Sequence, residues 1–383
     1  MSTVHLPRAD GTIESYRLGT HPAVAGASGP CRSRVLYAAA HVVADPLGDP
    51  VGTNAIDWDA TMAFRRHLWT LGFGVAEAMD TAQRGMGLDL AAVRILIDRS
   101  LAEAKSEGGV VACGITTDDL VGSGHTLDAI IASYLDQLSF VQERGGSVVM
   151  MASRALAASA RHVDDYRRVY GAVLAEVDRP VIIHWLGPMF DPALAGYWGS
   201  ADPFEAMQLL IGIVTDHAER IDGVKVSMLD ESLEVEFRRS LPDGVRCYTG
   251  DDFNFPSLIT GDGTHHSDAL LGIFDAIAPV AMNACLALDA GDVAEFDRLL
   301  GPTVPLSRLM FEAPTFHYKT GLTFLAYLNG HQRHFRMLGG QESARSIVHL
   351  AELVRLADAA GLITDPDAAA QRLRPVLATA GIG

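Results

Sequence analysis

Lys225 is one of only three lysines in this chain of 383 residues, and its surroundings suggest that it takes part in chemistry. It stands between Val224 and Val226 in a run that is typical of a buried strand. A charged amine is costly to bury unless it pairs with a carboxylate or gives up its proton. Because a neutral amine attacks carbonyl carbons, two interpretations are open: a nucleophile, or a lysine whose charge is paired or reaches water.

A second group of polar residues comes where apolar runs end. His184 closes one such run, and Gly250-Asp251-Asp252 follows another. Imidazole moves protons near neutral pH, whereas carboxylates, amides and hydroxyls hydrogen-bond the hydroxyl groups of a substrate. We predict Lys225 and His184 as catalytic residues. The residues predicted to bind the substrate are Thr81, Asp80, Asp251, Asp252, Asn254, His265 and His41.

The elements that must position these residues alternate along the chain. Short, nearly continuous apolar runs are separated by amphipathic segments, as in parallel sheets covered by helices. We predict a (β/α)8 TIM barrel with a C-terminal helical appendage, because such a barrel gathers the carboxyl ends of its strands around one site. The predicted strands are 35–40, 74–79, 110–113, 147–151, 181–184, 223–226 and 245–249.

The eighth strand is the weak point of the barrel prediction. It should fall within 264–271, a stretch that contains His265-His266 and does not look like a strand. We divide the chain into an N-terminal arm (1–33), the barrel (34–290) and a C-terminal helical region (291–383). A doubly wound sheet is the alternative, which the lack of a GxGxxG motif after a first strand disfavours.

Composition limits the expected partners. A formal net charge of −17 disfavours nucleic acid and anionic membranes. The four cysteines form no CxxC pair, so neither a disulfide framework nor a zinc ribbon is expected. The N-terminus lacks the pattern of a secretory signal, and no apolar run approaches a membrane span. We therefore predict a cytoplasmic protein whose partner is a small molecule.

Four segments resemble the dihydrodipicolinate synthase and N-acetylneuraminate lyase superfamily of class I aldolases. They are PVIIHWLG (180–187), DGVKVS (222–227), GDD (250–252) and EAPTFHYK (312–319), and they occur in the family's order. The resemblance covers about 34–330 and indicates a divergent branch. It implies that Lys225 forms the Schiff base, that no cofactor is needed, and that the protein is a homo-oligomer.

Two departures from the family pattern bear on the substrate. The tyrosine that relays protons on the fifth strand of the family aligns with His184, which can also shuttle protons. The family's Gly-Thr-Thr-Gly-Glu turn, which binds the carboxylate of a 2-oxo acid, aligns with residues 80–84, where only Thr81 is kept. The loss of this turn argues against pyruvate, and a pocket of carboxylates, amides and histidines favours a sugar-derived carbonyl substrate.

The leading hypothesis is a lyase in which Lys225 forms a Schiff base and His184 acts as general acid and base. One alternative is a metal-dependent lyase, isomerase or hydrolase with a divalent ion at the barrel mouth. Its candidate ligands are His41, His184, Asp251 and His265. The other alternative is a non-catalytic barrel that binds sugars or regulates, since a fold does not imply a function.

Overall fold

Eight parallel strands close into a barrel in the computed structural model, which describes residues 2–19, 23–24, 26 and 29–383. An antiparallel hairpin precedes the barrel. The hairpin is β1 (Thr3–Pro7) and β2 (Ile13–Arg17), and the barrel strands are β3 (Leu36–Ala39), β4 (Gly74–Glu77), β5 (Val111–Ile115), β6 (Ser147–Met150), β7 (Val181–Leu186), β8 (Ile221–Ser227), β9 (Arg246–Thr249) and β10 (Asp268–Leu271).

Strand β10 closes the barrel by pairing with both β9 and β3. Ala269, Leu270 and Leu271 lie in register with 36–38 of the first barrel strand. The eighth strand therefore lies within 264–271, as the barrel prediction requires, although that stretch does not look like a strand. Four residues suffice for this short strand, and the polar residues that obscured it form the loop ahead of it. The predicted (β/α)8 barrel with C-terminal helices is confirmed.

Helices connect successive strands and continue beyond the barrel. Several begin at an aspartate whose side chain accepts a backbone N–H of the first turn, as Asp57, Asp89 and Asp230 do. The barrel helices are α1 (Trp58–Leu71), α2 (Leu90–Glu107), α3 (Leu127–Gln142), α4 (Arg154–Ser159), α5 (Val163–Ala175), α6 (Pro203–Asp216), α7 (Glu231–Arg239), α8 (Phe255–Thr260) and α9 (Phe274–Asp289). Within the described part of the chain, no helix combines the length and apolarity needed to cross a bilayer.

Five further helices form the C-terminal region. They are α10 (Val293–Leu300), α11 (Val304–Met310), α12 (Tyr318–Leu328), α13 (Ile347–Ala359) and α14 (Pro366–Thr379). Their apolar faces share one core with α1 and α9. The hairpin β1–β2 packs on this region, where Tyr16 Oη donates to Asp358 and Arg355 donates to the Pro7 carbonyl. Helix α12 begins beside the barrel, in contact with the turn after β4.

Alternate residues of each strand face the barrel interior. Tyr37 and Tyr248 meet edge to face there, with ring centroids 6.2 Å apart, beside Val149, Ile182 and Leu270. Towards the carboxyl ends of the strands, small residues such as Ala39 and Ala76 take over. These small side chains leave room for longer polar ones at that end of the barrel.

Candidate active site

Lys225 faces the barrel interior from β8 and lines a cavity at the carboxyl ends of the strands. The cavity wall combines polar groups with apolar ones from several strands, the loops after them and helix α12. The lining residues are Ala39, Met79, Asp80, Thr81, Leu186, Phe190, Lys225, Ser227, Asp252, Gly272 and Tyr318. In TIM barrels this end of the strands holds the active site, so the cavity is the candidate site.

The charge state of Lys225 depends on its burial and on two carboxyl groups. Burial lowers the pKa of the amine from its usual 10.5, and Asp252 and Asp80 only partly oppose that shift. Burial also raises the pKa of Asp252 above 3.8, against the hydrogen bond from the Ile273 N–H and the charge of Lys225. Both shifts favour the uncharged forms, which brings a nucleophilic amine and a protonated carboxyl group into the same cavity.

Gly250 makes room for the reactive lysine. A Cβ atom at this position would stand 2.1 Å from Ser227 Oγ and 2.8 Å from Lys225 Cε. Both distances are shorter than van der Waals contact, so a side chain here would displace one or both groups. The Gly250-Asp251-Asp252 segment therefore needs a glycine at its first position for steric reasons.

His184 lies behind Ser227 rather than on the cavity wall. It is the register partner of Lys225 on the neighbouring strand, and its Nε2 lies 3.1 Å from Ser227 Oγ. Its Nδ1 is buried without a hydrogen-bond partner among the described residues. Burial and nearby Lys225 hold the pKa of His184 well below 6.5, so the imidazole is neutral. It reaches the cavity only through the Ser227 hydroxyl.

The sequence analysis does not predict Tyr318 as a site residue, although the residue lies in the segment 312–319 that resembles the family. It opens α12, and its Oη lies 2.8 Å from Thr81 Oγ1 on the cavity wall. Its ring stacks on Phe311 with centroids 4.4 Å apart. Burial, together with Asp80, raises the pKa of this phenol well above 10. The available signal was a tyrosine at a helix start within a segment that resembles a family motif.

Three predicted binding residues, Asp80, Thr81 and Asp252, line the cavity with Lys225. Asp251 and Asn254 do not, which corrects their predicted role. Asp251 Oδ1 accepts the backbone N–H groups of Phe253 and Asn254, and its Oδ2 accepts the Asn254 side-chain amide. The two residues shape the turn that presents Asp252 to the cavity.

His41 is also absent from the cavity wall, contrary to prediction. Its Nδ1 lies 2.8 Å from Asp275 Oδ2 and its Nε2 lies 3.2 Å from Gln332 Oε1. The imidazole packs against Phe64 at a tilt, with ring centroids 4.4 Å apart. Both ring nitrogens thus tie the end of β3 to α9 and to the C-terminal region.

His265 lies at the opposite end of the barrel, so its predicted place in the site is wrong. It precedes β10, and its backbone N–H donates to Asp262, which pairs with Arg239 at the end of α7. A loop from a helix into a strand reaches the amino end of that strand. The alternative metal set of His41, His184, Asp251 and His265 therefore does not converge, and the described residues contain no group of three or more metal-ligating side chains.

The cavity is narrow. Its volume is about 10 Å³, roughly the room that one water molecule needs. Phe190, from the loop after β7, and Tyr318 both line it, with their rings edge to face at 6.2 Å. A substrate of several heavy atoms therefore requires one of these walls to move.

Comparisons with known proteins agree with this architecture. A family model described as "Protein of unknown function (DUF993)" matches residues 4–382. Curated proteins offer no match. The protein YagE of E. coli K12, a prophage protein of the dihydrodipicolinic acid synthase family solved with pyruvate, superposes with a TM-score of 0.66 at 15% identity, covering 86% of this chain and 99% of that one.

Two more solved structures show the same likeness. A putative dihydrodipicolinate synthetase from Pseudomonas aeruginosa has a TM-score of 0.64 at 16% identity, covering 85% of this chain and 99% of its own. A monomeric dihydrodipicolinate synthase variant has a TM-score of 0.63 at 12% identity, covering 86% and 97%. The resemblance noted in the sequence is thus confirmed at the level of the fold.

Proposed function

We propose that this chain, which belongs to the DUF993 family, is a lyase of the class I aldolase type that forms a Schiff base between Lys225 and a carbonyl substrate. One observation carries the proposal. Lys225 is buried at the carboxyl end of a barrel strand, with two carboxyl groups beside it and a lowered pKa. Such an environment keeps an amine reactive near neutral pH.

The proposed reaction begins when the neutral amine of Lys225 adds to the carbonyl carbon. One water leaves, and the product is an iminium ion whose positive nitrogen accepts an electron pair. The next step begins at the hydroxyl group on the carbon two positions from the iminium carbon. When this hydroxyl group loses its proton, the bond between its carbon and the carbon next to the iminium carbon breaks. The electron pair of that bond forms an enamine. Return of that proton to carbon and addition of one water release the second product and restore Lys225.

Asp252 is the group that we assign to proton transfer in this cycle. It lines the cavity beside Lys225, and its raised pKa lets it give and accept a proton near neutral pH. The sequence favours His184 for this task, but the neutral imidazole stands behind Ser227. We therefore propose that His184 acts indirectly, by holding the Ser227 hydroxyl in position.

The charge of the cavity supports a neutral, hydroxyl-bearing substrate. Its described lining contains two carboxyl groups, Asp80 and Asp252, and no arginine. An anionic 2-oxo acid would lie against these carboxyl groups, with only the Lys225 amine to offset its charge. Hydroxyl groups of a sugar-derived ketone or aldehyde can donate to the same oxygens.

Nothing in this cycle requires a cofactor or a metal ion. The metal-dependent alternative loses its predicted ligand set, since His265 and Lys225 lie at opposite ends of the barrel. The non-catalytic alternative predicts binding without covalent capture. A homo-oligomer and a cytoplasmic location stay predictions from the sequence.

Borohydride trapping tests the proposal. The protein is incubated with dihydroxyacetone, glyceraldehyde, glycolaldehyde or pyruvate, reduced with borohydride and mapped by peptide mass spectrometry. We expect an adduct on Lys225 with a neutral hydroxycarbonyl probe. Lys319 is an internal control, because burial lowers its pKa to about 8 as well, yet its Nζ donates to the Phe316 carbonyl and lies outside the cavity wall.

The outcomes separate the alternatives. Equal labelling of Lys319 and Lys225 would show that a lowered pKa, and not the cavity, decides reactivity. Saturable binding of a probe with no adduct on Lys225 would reject the Schiff base and favour a sugar-binding barrel.

A further inference from the structure

We propose that Tyr318, which the C-terminal helix α12 contributes, is a catalytic residue that donates a proton to the oxygen of the carbonyl group on Lys225. The inference rests on the proposed function and adds a residue from outside the barrel strands and their loops. Tyr318 lines the same small cavity as Lys225 and Asp252. Because these side chains line one cavity, a carbonyl group bound to Lys225 lies within its walls, of which Tyr318 is one.

The position of the phenol oxygen is set from two sides. The Tyr318 ring stacks on Phe311 at 4.4 Å with an angle of 14° between the planes. Its Oη lies 2.8 Å from Thr81 Oγ1, in the turn after β4. A donor that is held in place before the reaction needs no reorganisation while charge develops on the substrate oxygen.

The hydrogen-bond pattern leaves the phenol proton available. A threonine hydroxyl can donate one hydrogen bond and accept others, so Thr81 can donate to the Tyr318 oxygen while the Tyr318 O–H points into the cavity. Burial and the Asp80 carboxylate raise the pKa of Tyr318, so this group remains an O–H through the neutral range. It enters the cycle as a donor and not as a base.

The assigned step is the loss of water from the carbinolamine. The carbon–oxygen bond breaks, and the departing oxygen keeps the electron pair and takes the Tyr318 proton, which makes one water molecule. The nitrogen lone pair forms the carbon–nitrogen double bond of the iminium ion. The phenol regains a proton from Asp252, whose carboxyl group lies near enough to affect the pKa of Tyr318. Asp252 is then the carboxylate that the next step needs.

The time course of trapping tests this assignment. The protein is mixed with dihydroxyacetone, quenched with borohydride at successive times, and weighed intact by mass spectrometry. A catalyst changes a rate without changing an equilibrium. We therefore expect Tyr318→Phe, which keeps the ring stack, to label Lys225 about a hundredfold more slowly but to the same final extent.

A matched control lies on the same helix. Tyr327 Oη donates to the Arg372 carbonyl, away from the cavity, so Tyr327→Phe should label at the wild-type rate. Unchanged kinetics in Tyr318→Phe would overturn the inference. If the final extent of labelling also falls in Tyr318→Phe, the variant Thr81→Val decides, since it removes only the hydroxyl that holds the phenol. Slower labelling of Thr81→Val to the full extent supports the role of Tyr318 as proton donor. An unchanged rate rejects that role.

Failure of the proposed function has a different signature. Wild-type protein that acquires no adduct on Lys225 from dihydroxyacetone, glyceraldehyde or glycolaldehyde rejects the Schiff base, and the inference about Tyr318 falls with it. If the wild type is labelled on Lys225 and Tyr318→Phe is labelled at the same rate, only the inference about Tyr318 is rejected.

Discussion

His184 and Lys225 are register partners on β7 and β8, and both side chains face the barrel interior, yet only Lys225 reaches the cavity. Ser227, two residues further along β8, stands between the imidazole and the cavity. The residue that sequence reasoning favours for proton transfer is thus one side chain away from where a substrate can lie.

Hydrogen–deuterium exchange distinguishes the two candidates for proton transfer. Exchange at the carbons beside the carbonyl of dihydroxyacetone in D₂O, followed by NMR, reports removal of a proton after iminium formation. We expect Asp252→Asn to slow this exchange by about a hundredfold or more, because it removes the base. His184→Asn should slow it by less than about tenfold, since the imidazole does not itself line the cavity. The reverse order would return the role to His184.

The pH dependence of labelling follows from the pKa of Lys225. Attack requires the neutral amine, so the initial rate should rise with pH and level off below 10.5, because burial lowers the pKa. The Asp252 carboxylate raises that pKa, so Asp252→Asn should move the midpoint to lower pH, by about one unit. A midpoint that moves upward would contradict the assigned charge pair.

Gly250→Ala tests the steric role of the glycine in the Gly250-Asp251-Asp252 segment. The new Cβ would overlap Ser227 Oγ and approach Lys225 Cε, so we expect adduct formation to fall at least about tenfold and the unfolding free energy to fall by about 1–3 kcal/mol. Gly301→Ala is the control, since nothing lies within 4 Å of its Cβ position. Trapping and denaturant unfolding measure both effects, and full labelling of Gly250→Ala would show that the site tolerates the methyl group.

Glu234 lies where the barrel closes, and it makes the free energy of unfolding depend on pH. Its carboxyl group on α7 accepts from Thr249 of β9 and from Ser267 just before β10, and burial raises its pKa to about 8. Because the folded pKa exceeds the usual 4.5, the protonated group contributes stability that is complete below pH 4.5 and is lost as the pH rises through 8.

Glu234→Gln should remove this dependence, because the amide stays neutral. We expect the variant to exceed the wild type in unfolding free energy by roughly 2–4 kcal/mol at pH 8.5 and to differ little at pH 5. Denaturant unfolding at the two pH values measures the difference. The exposed Glu236→Gln on the same helix is the control, and an equal gain at both pH values would refute the assigned cause.

The sequence predicts the barrel and the place of Lys225 because both depend on local patterns. Apolar runs mark the strands, and the interruption of one run by a lysine is visible without a structure. The choice between Asp251 and Asp252 is not visible, since neighbouring side chains diverge and only the loop conformation decides which one faces the cavity. Tyr318 is hard to predict for another reason: it reaches the site through the packing of α12 on the barrel.

His265 shows how a small error in a strand boundary becomes a large error in position. The strand begins at Asp268, three residues after the histidine. Residues before a barrel strand and residues after it lie at opposite ends of the barrel. An uncertainty of a few residues at β10 therefore moved a predicted ligand across the whole length of the barrel.

The contact between Phe190 and Tyr318 links substrate entry to the position of the proton donor. Phe190 lines the cavity and lies edge to face with the ring that we assign to proton donation. If the loop after β7 swings outward to admit a molecule, the phenol loses this neighbour until the loop returns. Substrate entry and reaction would then be separated in time, and the rate of loop closure would set an upper limit on turnover.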